Sequence, residues 1–352
     1  MFPAKLNRMN KITRILLTFV IFLGLMPAAV GAQTFPAVGT RAQGMGGAFV
    51  GVADDGTAIY WNPAGLAAGS YFSLAVEHGV GEPTQQGQLG GDSKNTLIGV
   101  SMPALGIGYY RLESRYAVPS VLLLPIDEVP SSRNLTAVAP VRVDSLVTHH
   151  TGVTLVQSLM QGVAIGSTLK AVNGKAASTL IDATSVEAAL ERDVDEVFGD
   201  SRTEFDFDLG FMASGGGLKI GLTVRNVLEP DFQLPGGEEV VLERQARAGL
   251  SYAVHTNWLA AADFDLLRSR DAFGERRDMA FGVEGRLISR AYVRSGISFN
   301  TVDTPGVEDE RGIAYSVGGS YAPKSGVFID GHLTTGDERT GRRWSVATRF
   351  VY

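Results

Sequence analysis

The 352-residue sequence contains no cysteine. This absence excludes a disulfide framework, a thiolate metal site, a cysteine nucleophile and a lipid-modified N-terminal cysteine. Charged residues make up only 19% of the chain, below the roughly 25% of soluble domains, and the body of the chain has no basic cluster. Together with a net charge of −6, this composition gives no indication of nucleic-acid binding.

Only one long uncharged apolar run occurs, and it lies near the N-terminus at residues 15–26. Residues 1–14 contain four basic residues and no acid, and small residues follow the run up to Ala32. This three-part pattern predicts a secretory signal peptide over residues 1–32. The run is short for a membrane-spanning helix, which needs about 20 residues, although a retained N-terminal anchor is the alternative interpretation. The sequence thus predicts an exported protein, either a soluble all-β protein or a β-barrel of an outer membrane.

Apolar and polar residues alternate along many segments after Ser70, for example from Phe205 to Phe211. A period of two places the apolar residues on one face of a sheet and the polar residues on the other. The segments are longer than the about 5–6 residues of soluble strands and fit the ~9–11 residues of tilted membrane strands. The pattern therefore favours a barrel with Trp258, Phe264, Phe281 and Val283 among its lipid-facing residues. The residues expected to face the lumen, where we expect ordinary salt bridges, include Asp206, Asp208, Lys219, Arg225, Arg247, Asp263, Asp265, Glu284, Arg286 and Arg294.

Fourteen such segments are predicted, an even number as in single-chain barrels of outer membranes. They are joined alternately by long connections, beginning with residues 79–93, and by short turns such as Pro103-Ala104. Membrane barrels have this alternation because their periplasmic turns are short and their outer loops are long. The last strand ends on Tyr352 and so resembles the C-terminal signal that barrel-assembly machinery recognises. We therefore predict an all-β fold, a transmembrane antiparallel β-barrel of about 14 strands over residues 70–352.

The segment before the first strand is small, glycine-rich and compact, which distinguishes it from the rest of the chain. An acidic pair can cap a helical turn in it, and a proline disfavours helix at the residue before that proline. Irregular backbone of this kind is tolerated at membrane depth inside a lumen. We therefore expect residues 33–69 to form a plug held by ion pairs to the wall and by apolar contacts. The candidate plug residues are Phe49, Asp54, Asp55, Trp61, Asn62 and Pro63.

Three stretches of this segment carry a family resemblance: Gly44-Met45-Gly46-Gly47-Ala48, Ala53-Asp54-Asp55 and Trp61-Asn62-Pro63-Ala64-Gly65. Together they resemble the N-terminal hatch of the FadL-type outer-membrane transport superfamily, which includes FadL and TodX transporters, PorV and PorQ proteins of secretion systems, and TraF-like proteins. Its FadL-type barrels have fourteen strands.

The resemblance implies passive uptake of hydrophobic small molecules, such as long-chain fatty acids or aromatic hydrocarbons, across the outer membrane. The implied partners are outer-membrane lipid, the hydrophobic molecule itself and the barrel-assembly machinery. The implied alternative is a PorV-like accessory barrel of a protein secretion system or of TraF-like conjugal transfer, which would bind secretion-system components. The trim outer loops bring the chain closer in size to these short members.

Two outer connections contain unusual apolar residues. An apolar patch on an outer loop indicates either a hydrophobic substrate entrance or an extra strand packed on the barrel rim. Residues 184–198 are predicted to form a helix with Thr184 and Glu187 as a capping box. We expect this helix to cover the mouth of the barrel, and binding of a partner is the alternative. The candidate entrance residues are Val121, Leu122, Leu123 and Leu124.

The sequence carries no pattern typical of catalysis. Its five histidines have no metal-ligand spacing, and no serine motif indicates a nucleophile. We therefore expect no metal, no cofactor and no enzymatic activity.

Overall fold

The computed structural model describes residues 38–86, 89–119, 140–183, 185–191, 199–234, 239–271, 274–302, 312–337 and 341–352. These residues belong to one compact unit, Gly31–Tyr352. None of the helices in these ranges is long and apolar enough to cross a membrane. The predicted signal peptide and the candidate entrance residues 121–124 lie outside the described residues and stay predictions.

Fourteen of the described strands form one closed antiparallel barrel, which confirms the predicted fold class and strand number. Neighbouring strands along the chain are neighbours in the barrel, and the first pairs with the last to close it. The barrel strands are β1 (Ser73–Gln86), β2 (Leu89–Met102), β3 (Leu105–Pro119), β4 (Pro140–Met160), β5 (Val163–Asp182), β6 (Arg202–Gly215), β7 (Leu218–Arg225), β10 (Gln245–His255), β11 (Trp258–Asp265), β14 (Asp278–Ile288), β15 (Ala291–Asn300), β16 (Ala314–Lys324), β17 (Val327–Gly336) and β18 (Arg342–Val351).

Two small hairpins lie in connections that were predicted only to be long. They pair β8 (Asp231–Gln233) with β9 (Glu239–Val241), and β12 (Ser269–Asp271) with β13 (Gly274–Arg276).

The connections give the barrel two distinct ends. Tight turns such as that between Met102 and Leu105 gather at one end, where Phe72 and Tyr352 exchange backbone hydrogen bonds of 3.0 and 2.9 Å. We call this the short-turn end and the opposite one the long-loop end. The predicted long connection over residues 79–93 is wrong, because β1 and β2 continue through it to Gln86 and Leu89. Continued pairing satisfies backbone groups that an irregular loop would leave to water.

Alternation along each strand separates an apolar outer face from a polar inner face. On β14, Phe281 and Val283 point outward and are 43% and 42% exposed, whereas Asp278 and Ala280 face inward and are buried. Exposed aromatic rings frame the apolar belt at both ends, with Trp258 near the short turns and Tyr315 near the long loops. Such a belt with aromatic girdles is typical of a lipid-facing barrel surface.

The segment before β1 contains α1 (Thr40–Gly44), α2 (Ala58–Trp61) and a 3-10 helix (Pro63–Ala68). Asn62 ends α2 and starts the 3-10 helix, because its side-chain oxygen accepts a hydrogen bond from the Ala64 N–H at 3.2 Å. Pro63 follows at the first helical position, where its missing N–H costs nothing.

The connection after β5 contains a helix, α3 (Val186–Leu190), within the predicted range. Its cap is Ser185, whose hydroxyl accepts from the Ala188 N–H at 3.1 Å, whereas Thr184 and residues 192–198 lie outside the described residues. The helix packs against Ala117 and Val143, which by alternation share the outward face of β3 and β4 with exposed Ile107. This described part of the predicted helix therefore lies on the outer side of these strands, and the expectation that it covers the mouth is wrong for Val186–Leu190.

Candidate functional site

Residues 38–69, which we call the plug, lie inside the barrel near its short-turn end. Phe49 and Trp61 are fully buried and meet edge to face, with 5.8 Å between their ring centroids. The indole N–H of Trp61 donates to the Val38 carbonyl at 3.1 Å. Wall residues complete this apolar cluster, among them Leu97 and Tyr110. The plug therefore has a core, although the barrel wall supplies part of it.

Asn62 ties the plug to the wall through its side-chain amide. The amide nitrogen donates to the Val50 carbonyl within the plug and to the Phe211 carbonyl on β6, both at 3.0 Å. Pro63, the neighbouring candidate residue, is buried against the wall, since a Cβ atom on Gly166 would lie 2.5 Å from the Pro63 carbonyl carbon.

A set of inward-facing wall glycines lets the plug pack directly against the strand backbone. A Cβ atom on Gly282 would lie 2.8 Å from the Cβ of Met45, and one on Gly99 would lie 2.5 Å from the Gly56 carbonyl oxygen. Both distances are shorter than van der Waals contact, so neither position accepts a larger residue without movement. The wall glycines that meet the plug in this way are Gly99, Gly106, Gly108, Gly166, Gly210, Gly221, Gly249, Gly282, Gly296 and Gly318. Ten of the 43 glycines of the chain thus serve plug–wall packing.

Two wall carboxylates bind main-chain N–H groups of the plug. Glu77 on β1 accepts from the Gly39 N–H at 2.7 Å and also from the backbone and hydroxyl of Thr40. Asp263 on β11 accepts from the N–H groups of Phe49 and Val50, both at 2.8 Å. Backbone donors in irregular buried segments need such partners, so these carboxylates replace the hydrogen bonds that the plug cannot make internally.

An ionic cluster joins the plug to β14–β18. Arg41 makes a two-bond pair with Glu284, with Nε–Oε2 and Nη2–Oε1 distances of 2.8 and 2.7 Å. Arg41 also contacts Asp54 at 2.6 Å and Asp55 at 3.2 Å, and Asp55 lies 3.5 Å from Arg349 of β18. Burial alone would raise the pKa of Asp55, but Arg41 and Arg349 hold that pKa below its usual value. Asp54 and Asp55 therefore serve as charged contacts between plug segments and wall.

The wall part of the cluster connects four strands, β14, β15, β17 and β18. Glu284 also accepts from Arg294 at 2.5 Å, and Asp330 on β17 binds Arg349 through two hydrogen bonds of 2.5 and 3.0 Å. Arg294, Asp330 and Glu284 are nearly or fully buried, so each charge depends on its partners.

The lumen on the long-loop side of the plug is charged. Lys170 on β5 is 1% exposed and lies 2.6 Å from Asp208 and 3.1 Å from Asp206. Arg225 on β7 stacks over the ring of Tyr60 in the plug, with 3.6 Å from Cζ to the ring centroid. These contacts match the inward placement expected from alternation, and Arg225 adds a plug contact that alternation did not indicate.

An apolar cluster lies at the long-loop end of the lumen. The β8–β9 hairpin places Phe232, 1% exposed, against the inward-facing residues Leu146 and Val172. Phe232 sits so close to the β5 backbone that a Cβ atom on Gly174 would collide with its ring. The described part of the chain therefore has an apolar cluster at the mouth of the barrel. Sequence reasoning missed this cluster, because it predicted only that the connection after β7 is long.

Sequence reasoning also missed Arg41, Glu77 and Arg349 and treated Asp263 and Glu284 as ordinary lumen ions. Alternation could identify an inward carboxylate, but it gave no indication of which carboxylates meet the plug. No group of acidic residues or histidines able to hold a metal ion occurs in the described residues.

Comparison with known proteins agrees with this architecture. A protein-family profile described as "F plasmid transfer operon, TraF, protein" matches residues 114–265, less than half of the chain. No curated protein sequence matches the chain.

Solved barrels of similar fold match nearly the whole chain. The toluene transporter TodX of P. putida is 11% identical with a TM-score of 0.61, covering 91% of this chain and 99% of its own. The CymD monoaromatic hydrocarbon channel is 12% identical with a TM-score of 0.59 and the same coverage. A Pseudomonas aeruginosa FadL homologue is 11% identical with a TM-score of 0.57, covering 92% of this chain and all of its own. These three are described as a transporter, a channel and a FadL homologue. The chain therefore has the fold of the FadL- and TodX-type outer-membrane transport barrels.

Proposed function

We propose that this protein lies in the outer membrane and allows passive passage of hydrophobic small molecules, of the long-chain fatty acid or aromatic hydrocarbon type. The observation that carries the proposal is a closed barrel whose lumen is filled by the plug near one end and bordered by an apolar cluster at the other. The exposed apolar belt with aromatic rims supports a membrane location. The likeness to TodX and CymD, which are described as a toluene transporter and a hydrocarbon channel, supports the substrate class.

The orientation follows from the two ends of the barrel. Short turns of membrane barrels face the periplasm, so the plug borders the periplasm and the Phe232 cluster faces outside. A hydrophobic molecule would meet the Phe232 cluster first and the plug last. The plug would have to yield during passage, which makes the candidate plug residues parts of a gate.

Removal of the plug tests this function. We expect deletion of residues 42–66 to leave a folded barrel with large, steady conductance in planar bilayers, whereas the intact protein is nearly closed. Cells carrying the deletion should take up the fluorescent hydrophobic probe N-phenyl-1-naphthylamine faster than cells carrying the intact protein. Heat-modifiable gel migration confirms that both proteins are folded barrels. Equal conductance of the two proteins would refute the role of the segment as a plug.

A second function is favoured by the TraF profile match over residues 114–265. In this alternative the barrel is an accessory component that docks proteins of a secretion or conjugal-transfer system. Deletion of the gene separates the two functions. If the protein is a transporter, the deletion strain takes up less probe and keeps its normal frequency of conjugal transfer. An accessory barrel loses transfer frequency with normal probe uptake.

A further inference from the structure

The outward faces of β2, β3 and β5 change from apolar to cationic on the long-loop side of the apolar belt. On β2, Lys94 lies beyond exposed Ile98 on the same face, and on β5 Lys175 lies beyond exposed Leu169. Alternation also places Arg111 on the outward face of β3. Three strands thus present a cation to the exterior of the barrel rather than to the lumen.

The short-turn ends of the same three strands carry no charge on this face. The outward residues of these described strand ends include Met102 on β2, Ile107 on β3 and Ile165 on β5, which are exposed and apolar. The apolar belt of these strands is therefore bordered by cations at one end only. Such an asymmetry fits attraction to the anionic headgroups of one leaflet.

Strand register brings the three cations close together. Lys94 pairs with Glu113, two residues beyond Arg111, so that Lys94 is the diagonal neighbour of Arg111. Arg111 lies directly opposite His149 of β4, and Lys175 is the diagonal neighbour of His149 on the far side of β4. Directly opposed Cβ atoms are about 5 Å apart and diagonal ones about 7–8 Å, within reach of long side chains. One headgroup can therefore contact more than one of these cations.

Two of the three cations have no carboxylate partner in the described ranges. The Arg111 guanidinium is 34% exposed and lies 2.8 Å from a carboxylate oxygen of Glu113. Lys94 and Lys175 are exposed, and no salt bridge between described residues includes either of them. This surface therefore carries a local excess of positive charge, although the whole chain has a net charge of −6.

The cationic surface, by which we mean Lys94, Arg111 and Lys175, has a border on each side. On the lipid side, the Tyr109 hydroxyl and His149 Nδ1 share a hydrogen bond of 2.8 Å. On the long-loop side, Asp92 and Arg115 form a salt bridge, and α3 packs over Ala117. The surface is therefore a narrow band next to the apolar belt, at the level where lipid headgroups meet a barrel with aromatic rims.

Given the outer-membrane location proposed above, we propose that Lys94, Arg111 and Lys175 bind phosphate groups of the phosphorylated glycolipid of the outer leaflet. The apolar belt beside them contacts the acyl chains of the same lipid. A membrane-bound phosphate fits better than free phosphate, because the cations point away from the lumen and border the lipid-facing surface. The bound lipid holds the barrel at a fixed depth in the membrane.

Removal of the two lysine charges tests this inference. The double variant Lys94→Gln and Lys175→Gln leaves the Arg111–Glu113 pair in place and changes only exposed side chains, so the barrel should still fold. The probe is bisphosphorylated lipid A, and native mass spectrometry of the purified protein in detergent micelles measures its dissociation constant. We expect binding to weaken about fivefold for each charge and about 25-fold for both.

The matched control removes two cations from the opposite end of the barrel. Arg290 and Lys324 lie exposed in short turns, so Arg290→Gln with Lys324→Gln changes the net charge by the same amount. This control should bind lipid A like the parent protein, and heat-modifiable migration confirms that both variants are folded. An equal loss of affinity in the two double variants would show that only net charge matters and would overturn the inference.

Two further probes identify the group that is bound. Lipid A without phosphate groups should bind the parent protein no more tightly than the Lys94→Gln and Lys175→Gln variant binds intact lipid A. Inorganic phosphate should not displace intact lipid A from the parent protein. Tight binding of the phosphate-free lipid would assign the affinity to acyl chains, and displacement by inorganic phosphate would assign the surface to a soluble anion; either result overturns the inference.

Glu113→Gln gives a change of the opposite sign. The substitution keeps the side-chain size and removes the carboxylate that pairs with Arg111, so the guanidinium becomes available to the lipid. We expect about fivefold tighter binding of lipid A. Weaker or unchanged binding would show that Arg111 does not contact the phosphate groups and would overturn the proposed set of residues.

Failure of the underlying function gives a different pattern. Deletion of residues 42–66 tests the transport function and leaves the cationic surface unchanged. If that deletion alters neither conductance nor probe uptake while lipid A binding behaves as expected, only the transport function is wrong. If the deletion opens the barrel but the lysine variant binds lipid A like the parent protein, only the lipid site is wrong.

Discussion

Substitution of Gly282 by alanine isolates the backbone contact between plug and wall. The added Cβ would lie 2.4 Å from the Met45 carbonyl oxygen and 2.8 Å from the Met45 Cβ, so plug and wall must separate by about 0.7 Å or more to reach van der Waals distance. Met45 is fully buried and cannot retreat easily, because the adjacent Gly46 backbone rests against Gly296 of the next strand. Overpacking of this kind costs about 1–3 kcal/mol. We therefore expect the plug to leave its seat about 5 to 150 times more often.

A single cysteine placed in the plug measures this effect. Val52→Cys replaces a side chain that is 1% exposed, and it is the only thiol in the protein, so its rate of maleimide labelling reports plug opening. The labelling rate of the Gly282→Ala protein should rise by the factor above while heat-modifiable migration stays normal. Gly331→Ala is the control, because no atom lies within 4 Å of its added Cβ. A labelling rate within twofold of the parent protein, or an equal rise in the control, would refute the importance of this contact.

Two further substitutions test the outer face and the mouth. Phe281→Arg, on the apolar belt, should destabilise the folded barrel in bilayers by about 2–4 kcal/mol. The control Glu82→Arg, at an exposed site near the long-loop end, should destabilise it by less than half as much. Equal destabilisation in a denaturant titration would contradict the assigned lipid face. Phe232→Ala removes the ring packed on β5 and should destabilise the β8–β9 hairpin by about 3–5 kcal/mol. Faster hydrogen exchange in residues 229–243, with unchanged exchange in β14–β18, checks that prediction, and unaltered exchange in the hairpin would contradict it.

The amino-acid sequence determined the architecture, because alternation has a fixed physical consequence in a strand. Once Phe281 and Asp263 are placed on β-strands, the faces that they occupy follow from the period of two. The same logic gave the fourteen strands and the inward position of the lumen charges, and the plug motif gave the family resemblance. The connections were predicted less accurately, since residues 79–86 and 89–93 continue as paired strands and the connection after β7 contains the β8–β9 hairpin.

Only the tertiary structure decided which of these residues meet each other. Glu284 and Asp206 look alike in the sequence, each an acid between apolar neighbours, yet Glu284 binds Arg41 of the plug and Asp206 pairs with Lys170 of the wall. An inward residue faces the plug only if its position along the barrel axis matches that of the plug. This match depends on the stagger of the strands and on the path of the plug, whose sequence has no periodicity. The wall glycines show the same limit of sequence reasoning. A glycine between apolar residues in a strand indicates close packing, but it does not indicate which residue packs against it.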